Sequence, residues 1–338
     1  MSSVLIIAEA GVNHNGSVSI AKKLILAAKK SGADFVKFQT FLTELNISRT
    51  AKKAKYQIEN TKTLESQFEM VKKLELSFDS FNELIRYSKE VGIGFLSTGF
   101  DRPSLDFLNK KIEYIKIPSG EITNFPYLKQ ITEFNQPIIL STGMANMQEI
   151  KEALAVLTSE KLTKKDITIL HCNTEYPTPM EDVNLLAMQT IANECGVNVG
   201  YSDHTLGIEV PIAAVALGAK VIEKHFTLDR NLPGPDHRAS LEPDELKKMV
   251  ETIRNIELAI SGSGKKEPSK SEKKNMSIAR KSIHLKRALN KGAVIKPEDI
   301  IPLRPGTGIS PMLWDSVIGK KVNKDFPQNY LLNLSDLA

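Results

Sequence analysis

Eight times in its first 260 or so residues the chain repeats one pattern: a short β-branched, apolar run, a polar end, then an amphipathic stretch of helical period. The runs read VLIIAE, DFVKFQ, GIGFLST, YIKIPS, PIILST, ITILHCN, NVGYSDH and KVIEKHF. Helical periodicity follows them over 20–30, 81–90, 104–109, 127–134, 148–157, 185–195, 208–217 and 243–259. An insertion rich in Lys, Gln and Glu separates the second run from its helix. Nearly continuous apolar runs are what parallel strands need when both faces are covered. Eight such units predict a (β/α)8 barrel of the TIM type. A doubly wound open sheet is the alternative. No GxGxxG follows the first run, which counts against dinucleotide binding.

Past residue 259 the character changes. SGSGKKEPSKSEKKN has the Gly, Ser, Pro and Lys content of a linker. The segment beyond it, with its short apolar runs and turn residues, reads as a small, mostly β domain. The expected division is a barrel over 1–261, a linker over 262–280 and a second domain over 281–338. The net charge of +5 is spread over many helices, so nucleic acid is not an expected partner. The two cysteines, Cys172 and Cys195, form no CxxC pair. The N-terminal apolar run is too short for a signal peptide and lacks a basic flank. No run reaches the ~20 apolar residues of a membrane span. A cytoplasmic location is the expectation.

A barrel of this kind keeps its active site at the C-terminal ends of its strands. Here those ends carry Glu9, then Lys37 and Gln39, Ser97 and Thr98, Lys116, Ser119 and Glu121, Ser141 and Thr142. His171, Asn173 and Thr174 follow, then Ser202, Asp203 and His204, and finally Glu223 and His225. Any one of these has an ordinary structural use, such as a serine capping the next helix. Ionisable groups at so many ends are costly unless a ligand, metal or water satisfies them. Strand side chains alternate, so Glu223 and His225 share a face and Lys224 takes the other. His204 and His225 end consecutive strands, and two imidazoles with open positions suit a divalent transition metal. Lys37 and Lys116 beside several hydroxyls suit an anionic substrate. A Schiff base on one of the lysines is the alternative.

The chain resembles the bacterial sialic acid synthase family, the synthases of N-acetylneuraminate and related nonulosonic acids. IIAEAGVNHNG, VKFQT, KIPSGE, ILSTGM, LHCNTEYPTP, YSDHT, EKHFT and GPDHRASLEPDEL stand in family order. LRPGTGISP falls in the family's C-terminal antifreeze-protein-like (SAF, β-clip) domain. The resemblance covers essentially the whole chain. It implies condensation of phosphoenolpyruvate with an N-acetylated mannosamine-type sugar, using Mn2+ or, in its place, Mg2+ or Co2+. It implies His204 and His225 as metal ligands and Glu9 as the acid/base. Lys37, Lys116, Ser119, Ser141 and Ser202 would bind phosphoenolpyruvate. Where some members read HCTNIYPTP this chain reads HCNTEYPTP, so a further contact carries over to Asn173 and Thr174 together. Gln39, Glu121, Tyr176 and Asp236 would contact the sugar. Arg304 would meet its N-acetyl group from the partner subunit of a domain-exchanged homodimer.

The residue types fit that chemistry. Phosphoenolpyruvate brings about three negative charges, which lysines and hydroxyls meet. C3 attacks the sugar aldehyde, whose developing alkoxide a metal stabilises. C2 then takes a water, which Glu9 or metal-bound hydroxide would activate. N-acetylmannosamine is the first expectation for the sugar, giving N-acetylneuraminate. The 2,4-diacetamido-2,4,6-trideoxymannose precursor of N,N'-diacetyllegionaminate is the alternative. More distant readings are a Schiff-base aldolase and a non-catalytic sugar- or ice-binding protein.

Overall fold

The computed structural model describes residues 3–63 and 65–338 and divides into two compact units, Met1–Gly262 and Ser263–Ala338. In the first unit strands alternate with helices. The order is β1 (Leu5–Gly11), α1 (Val18–Lys30), β2 (Phe35–Thr40), then three short helices α2 (Thr43–Asn46), α3 (Lys55–Thr61) and α4 (Gln67–Lys72). It continues α5 (Phe78–Val91), β3 (Gly94–Gly99), α6 (Arg102–Leu108), β4 (Ile115–Ile117), α7 (Phe125–Thr132), β5 (Ile138–Ser141), α8 (Met147–Leu157) and β6 (Ile167–His171). The last members are α9 (Leu186–Cys195), β7 (Asn198–Asp203), α10 (Glu209–Ala216), β8 (Val221–His225) and α11 (Pro243–Ala259). All eight strands are parallel, in the order β3-β2-β1-β8-β7-β6-β5-β4, and β3 packs against β4 to complete the ring of a TIM barrel.

Local signals set the element ends. Ser17, Ser77 and Asp101 accept backbone N–H bonds at the first turns of α1, α5 and α6. Gly92 closes α5 at φ +79°, a left-handed conformation that costs glycine little. Apolar side chains between strands and helices, among them Ile6, Leu24, Val36, Leu84, Leu96 and Leu140, are wholly buried. Packing is close at Gly200 on β7, where a Cβ would lie 2.3 Å from the Val221 carbonyl oxygen.

Register then sorts the polar residues of the strand ends. Glu9 stands opposite Lys37 on one side and His225 on the other, and Ser202 stands opposite Glu223. Asp203 stands opposite Lys224, one step out of phase, so this pair points to the other face. There the Lys224 ammonium and the Asp203 carboxylate pair at 2.5 Å, with both side chains fully buried.

The second unit contains α12 (Lys270–Ala279), an antiparallel pair β9 (Ser282–Leu285) and β10 (Ile300–Leu303), and α13 (Trp314–Val317). Its own core includes Ile283, Leu285, Ile295, Val317 and Leu332. The helix α12 falls within 262–280, the stretch read as linker. Ser269 and Glu272 form a reciprocal capping box that nucleates it, a signal masked by the surrounding lysines.

Candidate active site

The C-terminal ends of the strands enclose a cleft of about 180 Å³. Eleven of the residues expected from the sequence line it: Glu9, Lys37, Gln39, Lys116, Ser119, Ser141, Thr174, Tyr176, Ser202, His204 and His225. A second cleft of about 220 Å³ adjoins it and shares Gln39, Phe100, Tyr176 and His225; Asp236 lines this one. Three expected residues line neither cleft. Glu121 sits in a short turn and accepts a bond from Asn124 Nδ2 at 2.6 Å. The Asn173 side chain accepts its own loop's Glu175 N–H at 2.7 Å. Arg304 follows β10 in the second unit, exposed and without an ion pair or side-chain hydrogen bond among the described residues.

At the floor of the first cleft lies a four-charge cluster. Lys37 Nζ is 2.9 Å from Glu9 Oε2 and 3.4 Å from Glu223 Oε2. Lys116 Nζ is 3.8 Å from Glu223 Oε1 and donates to Ser141 Oγ at 2.7 Å. Ser202 Oγ donates to Glu223 Oε1 at 2.9 Å. Burial opposes every one of these charges, and the outcome differs by neighbourhood. Glu223 overcomes it because Lys116 and Lys37 flank it, and its pKa falls to about 2. In Glu9 burial wins over the attraction of Lys37, aided by repulsion from Glu223, and the pKa rises to about 7. Burial lowers the pKa of Lys116, whereas Glu223 and Glu9 more than offset it at Lys37, whose pKa is raised. Glu9 is therefore a carboxyl poised to gain or lose a proton near neutrality, beside an ionised one. Glu9 Oε2 and Glu223 Oε2 take no well-directed hydrogen bond from a described residue. Such buried capacity calls for a ligand or water.

The sequence placed Glu223 at a strand end but attached no role to it. Its partners come from β2 and β4, far apart in the chain, and no local pattern announces them. Tyr56 was likewise missed: it comes from α3, and its ring stacks on Tyr176 with centroids 5.2 Å apart.

The two imidazoles stand with ring centroids 5.3 Å apart. Burial keeps both neutral, lowering His204 to about 4 and His225 well below its ordinary value. His204 Nδ1 donates to the Asn173 carbonyl, which leaves its Nε2 lone pair free, and the Tyr176 ring stacks on it at 4.1 Å. His225 Nδ1 is buried without a hydrogen-bond partner among the described residues. Neutral, adjacent imidazoles, one with its tautomer set by a carbonyl, are the state a divalent metal requires. No third His, Cys, Asp or Glu joins them in a metal-binding group among the described residues, so an ion held there would keep coordination positions for other ligands.

Comparison with known proteins bears on this arrangement. The NeuB family model matches residues 24–266 and the SAF domain model residues 280–338. The chain is 53% identical over 333 residues to the N,N'-diacetyllegionaminic acid synthase of Campylobacter jejuni, spanning 98% of this chain and 99% of that one. It is 49% identical over 321 residues to the N,N'-diacetyllegionaminic acid synthase of Legionella pneumophila, spanning 94% and 90% respectively. The crystal structure of the N-acetylneuraminic acid (sialic acid) synthetase of Leptospira borgpetersenii, in complex with citrate, matches with a TM-score of 0.71 at 37% identity, covering 81% of this chain and 90% of that one. With both family models matched and relatives of nearly its own length sharing about half of its residues, the chain belongs to the NeuB family of nonulosonic acid synthases and carries the SAF domain at its C-terminal end.

Proposed function

We propose that the chain is an N,N'-diacetyllegionaminic acid synthase, joining phosphoenolpyruvate to 2,4-diacetamido-2,4,6-trideoxymannose with addition of water and release of phosphate. The carrying observation is the 53% and 49% identity to two synthases of that name over nearly the whole chain. It favours this sugar over N-acetylmannosamine, the first expectation from the sequence, whose motifs fit both.

The cleft supports the chemistry. Lys37 and Lys116 outweigh the single firmly ionised carboxylate Glu223, so the floor attracts a multiply charged anion. Ser119, Ser141, Ser202 and Thr174 offer hydroxyls to its phosphate and carboxylate. Gln39, Tyr176 and Asp236 hold the sugar with its aldehyde toward the imidazoles. C3 of phosphoenolpyruvate attacks that aldehyde carbon, forming the new C–C bond as the aldehyde oxygen becomes an alkoxide and takes a proton. Water adds at C2, and Glu9 takes its proton. The C2–O bond then breaks and phosphate leaves. His204 and His225 would hold a divalent ion, Mn2+ for preference, which when bound supplies Lewis-acid polarisation of the aldehyde. Arg304, exposed and unpaired in its own unit, would complete the sugar site from the partner of a domain-exchanged homodimer. The test is phosphate release and product mass with each sugar in turn. A kcat/KM for N-acetylmannosamine equal to or above that for the diacetamido sugar would overturn the assignment.

A further inference from the structure

The connection from β2 to α5 is far longer than the other links of the barrel, and it builds α2, α3 and α4. Part of it forms a small apolar cluster apart from the main core, in which Phe41 and Leu74 pack on Val12 with Val71 and Phe100 against them. This cluster is one wall of the second cleft, extended by Ile47 and Met70. The rest of the lining is polar: Asn46, Gln57 and Gln67 from the same connection, Tyr56, stacked on Tyr176, and Asp236, raised to about 6 by burial. The two clefts meet at Gln39, Phe100, Tyr176 and His225. An extended sugar with its reacting end beside His225 therefore runs its far end into a space that holds an apolar patch among polar side chains.

We infer that the β2–α5 connection is the specificity element of the enzyme, and that its apolar wall at Ile47, Met70 and Val71 receives the methyl groups at the far end of a deoxy, acetamido-bearing sugar. This rests on the proposed function and deepens it. The diacetamido-trideoxy sugar has a methyl where N-acetylmannosamine has a primary alcohol, and an acetamido group where the latter has a second hydroxyl. Where the tail lies against this patch, aliphatic side chains can neither donate to nor accept from those hydroxyls, so a hydroxyl there loses its water without replacement. Methyls gain from the same contact. Asp236 and Tyr56 across the cleft remain for the amide and the chain hydroxyls.

The experiment measures kcat/KM for both sugars in the wild type and in Val71→Thr and Ile47→Thr. Val71→Thr nearly conserves shape, Ile47→Thr also shortens the side chain by a methyl, and each adds a hydroxyl to a half-buried side chain. The ratio of kcat/KM, diacetamido over monoacetamido sugar, is expected to fall about 10-fold in each, within the range that one small group in an apolar pocket commands. The change should lie in the sugar's KM, with the KM for phosphoenolpyruvate unmoved. Val71→Ala, which only removes contact, should lower the ratio in the same direction. If the wild type prefers the diacetamido sugar and every variant keeps the wild-type ratio, this inference fails while the proposed function stands. If the wild type prefers N-acetylmannosamine, both fail.

Discussion

Lys224→Met tests how the outer face of the barrel holds the two imidazoles in place. Lys224 and Asp203 form a fully buried pair at 2.5 Å, and Lys224 also donates to the Thr205 carbonyl. Asp203 keeps further bonds from Thr205, at 3.1 Å to the N–H and 2.9 Å to the hydroxyl. Removing one member of a buried pair leaves an uncompensated charge and costs about 3–5 kcal/mol. The retained Thr205 bonds put this case at the lower end, about 3 kcal/mol, or roughly a 150-fold shift in the unfolding equilibrium. Adding Asp203→Asn removes the stranded charge but leaves an acceptor for Thr205, so the double variant should recover most of the loss. Since His204 follows Asp203 and His225 follows Lys224 in the chain, the half-saturating Mn2+ concentration should rise about 10-fold in the single variant and fall back in the double. Unfolding should be followed in urea by far-UV circular dichroism. The single tryptophan, Trp314, lies in the second unit, so its fluorescence is not used to follow the barrel. An unchanged midpoint for Lys224→Met, or a double variant no more stable than the single, would refute the reasoning.

Further outcomes are expected. His204→Ala and His225→Ala should each abolish turnover with circular dichroism unchanged, and chelation should silence the wild type until Mn2+ is restored; full activity after exhaustive chelation would contradict the metal reading. Because the Glu9 pKa is raised to about 7, the free enzyme's kcat/KM should rise as pH increases through that value, and Glu9→Gln should lower kcat by roughly 10²–10⁴. The same shift has a stability consequence. A raised folded pKa gives stability that is complete below the unfolded value, 4.5, and is lost as pH climbs through about 7, so Glu9→Gln should gain on the wild type in urea midpoint at pH 8 relative to pH 5. Mixing His204→Ala with Arg304→Ala subunits should restore up to about a quarter of wild-type activity if Arg304 acts in trans; no recovery despite demonstrated subunit exchange would exclude that arrangement.

Much of this was legible in the linear sequence, for a physical reason. A parallel strand covered on both faces needs an apolar run, a covering helix needs a 3.6-residue stripe, and both are local patterns. Alternation along a strand is also local, which is why Glu223 and His225 could be set on one face and Lys224 on the other before any register was known. Barrel closure then made the polar strand ends converge, so Glu9, Lys37, Lys116, Ser141, Ser202, His204 and His225 meet in one cleft. Other features depend on pairings between distant parts of the chain. Only the tertiary structure puts Glu223 between lysines from β2 and β4, and so separates the two carboxyls into one ionised near pH 2 and one poised near 7. Only it brings Asp236 from the loop after β8 to face α3 and α4, because an irregular insertion has no period to betray where it folds back. The strand ends supplied the chemical groups; closure of the barrel and the fold of one long connection decided their charges and the shape of what they can hold.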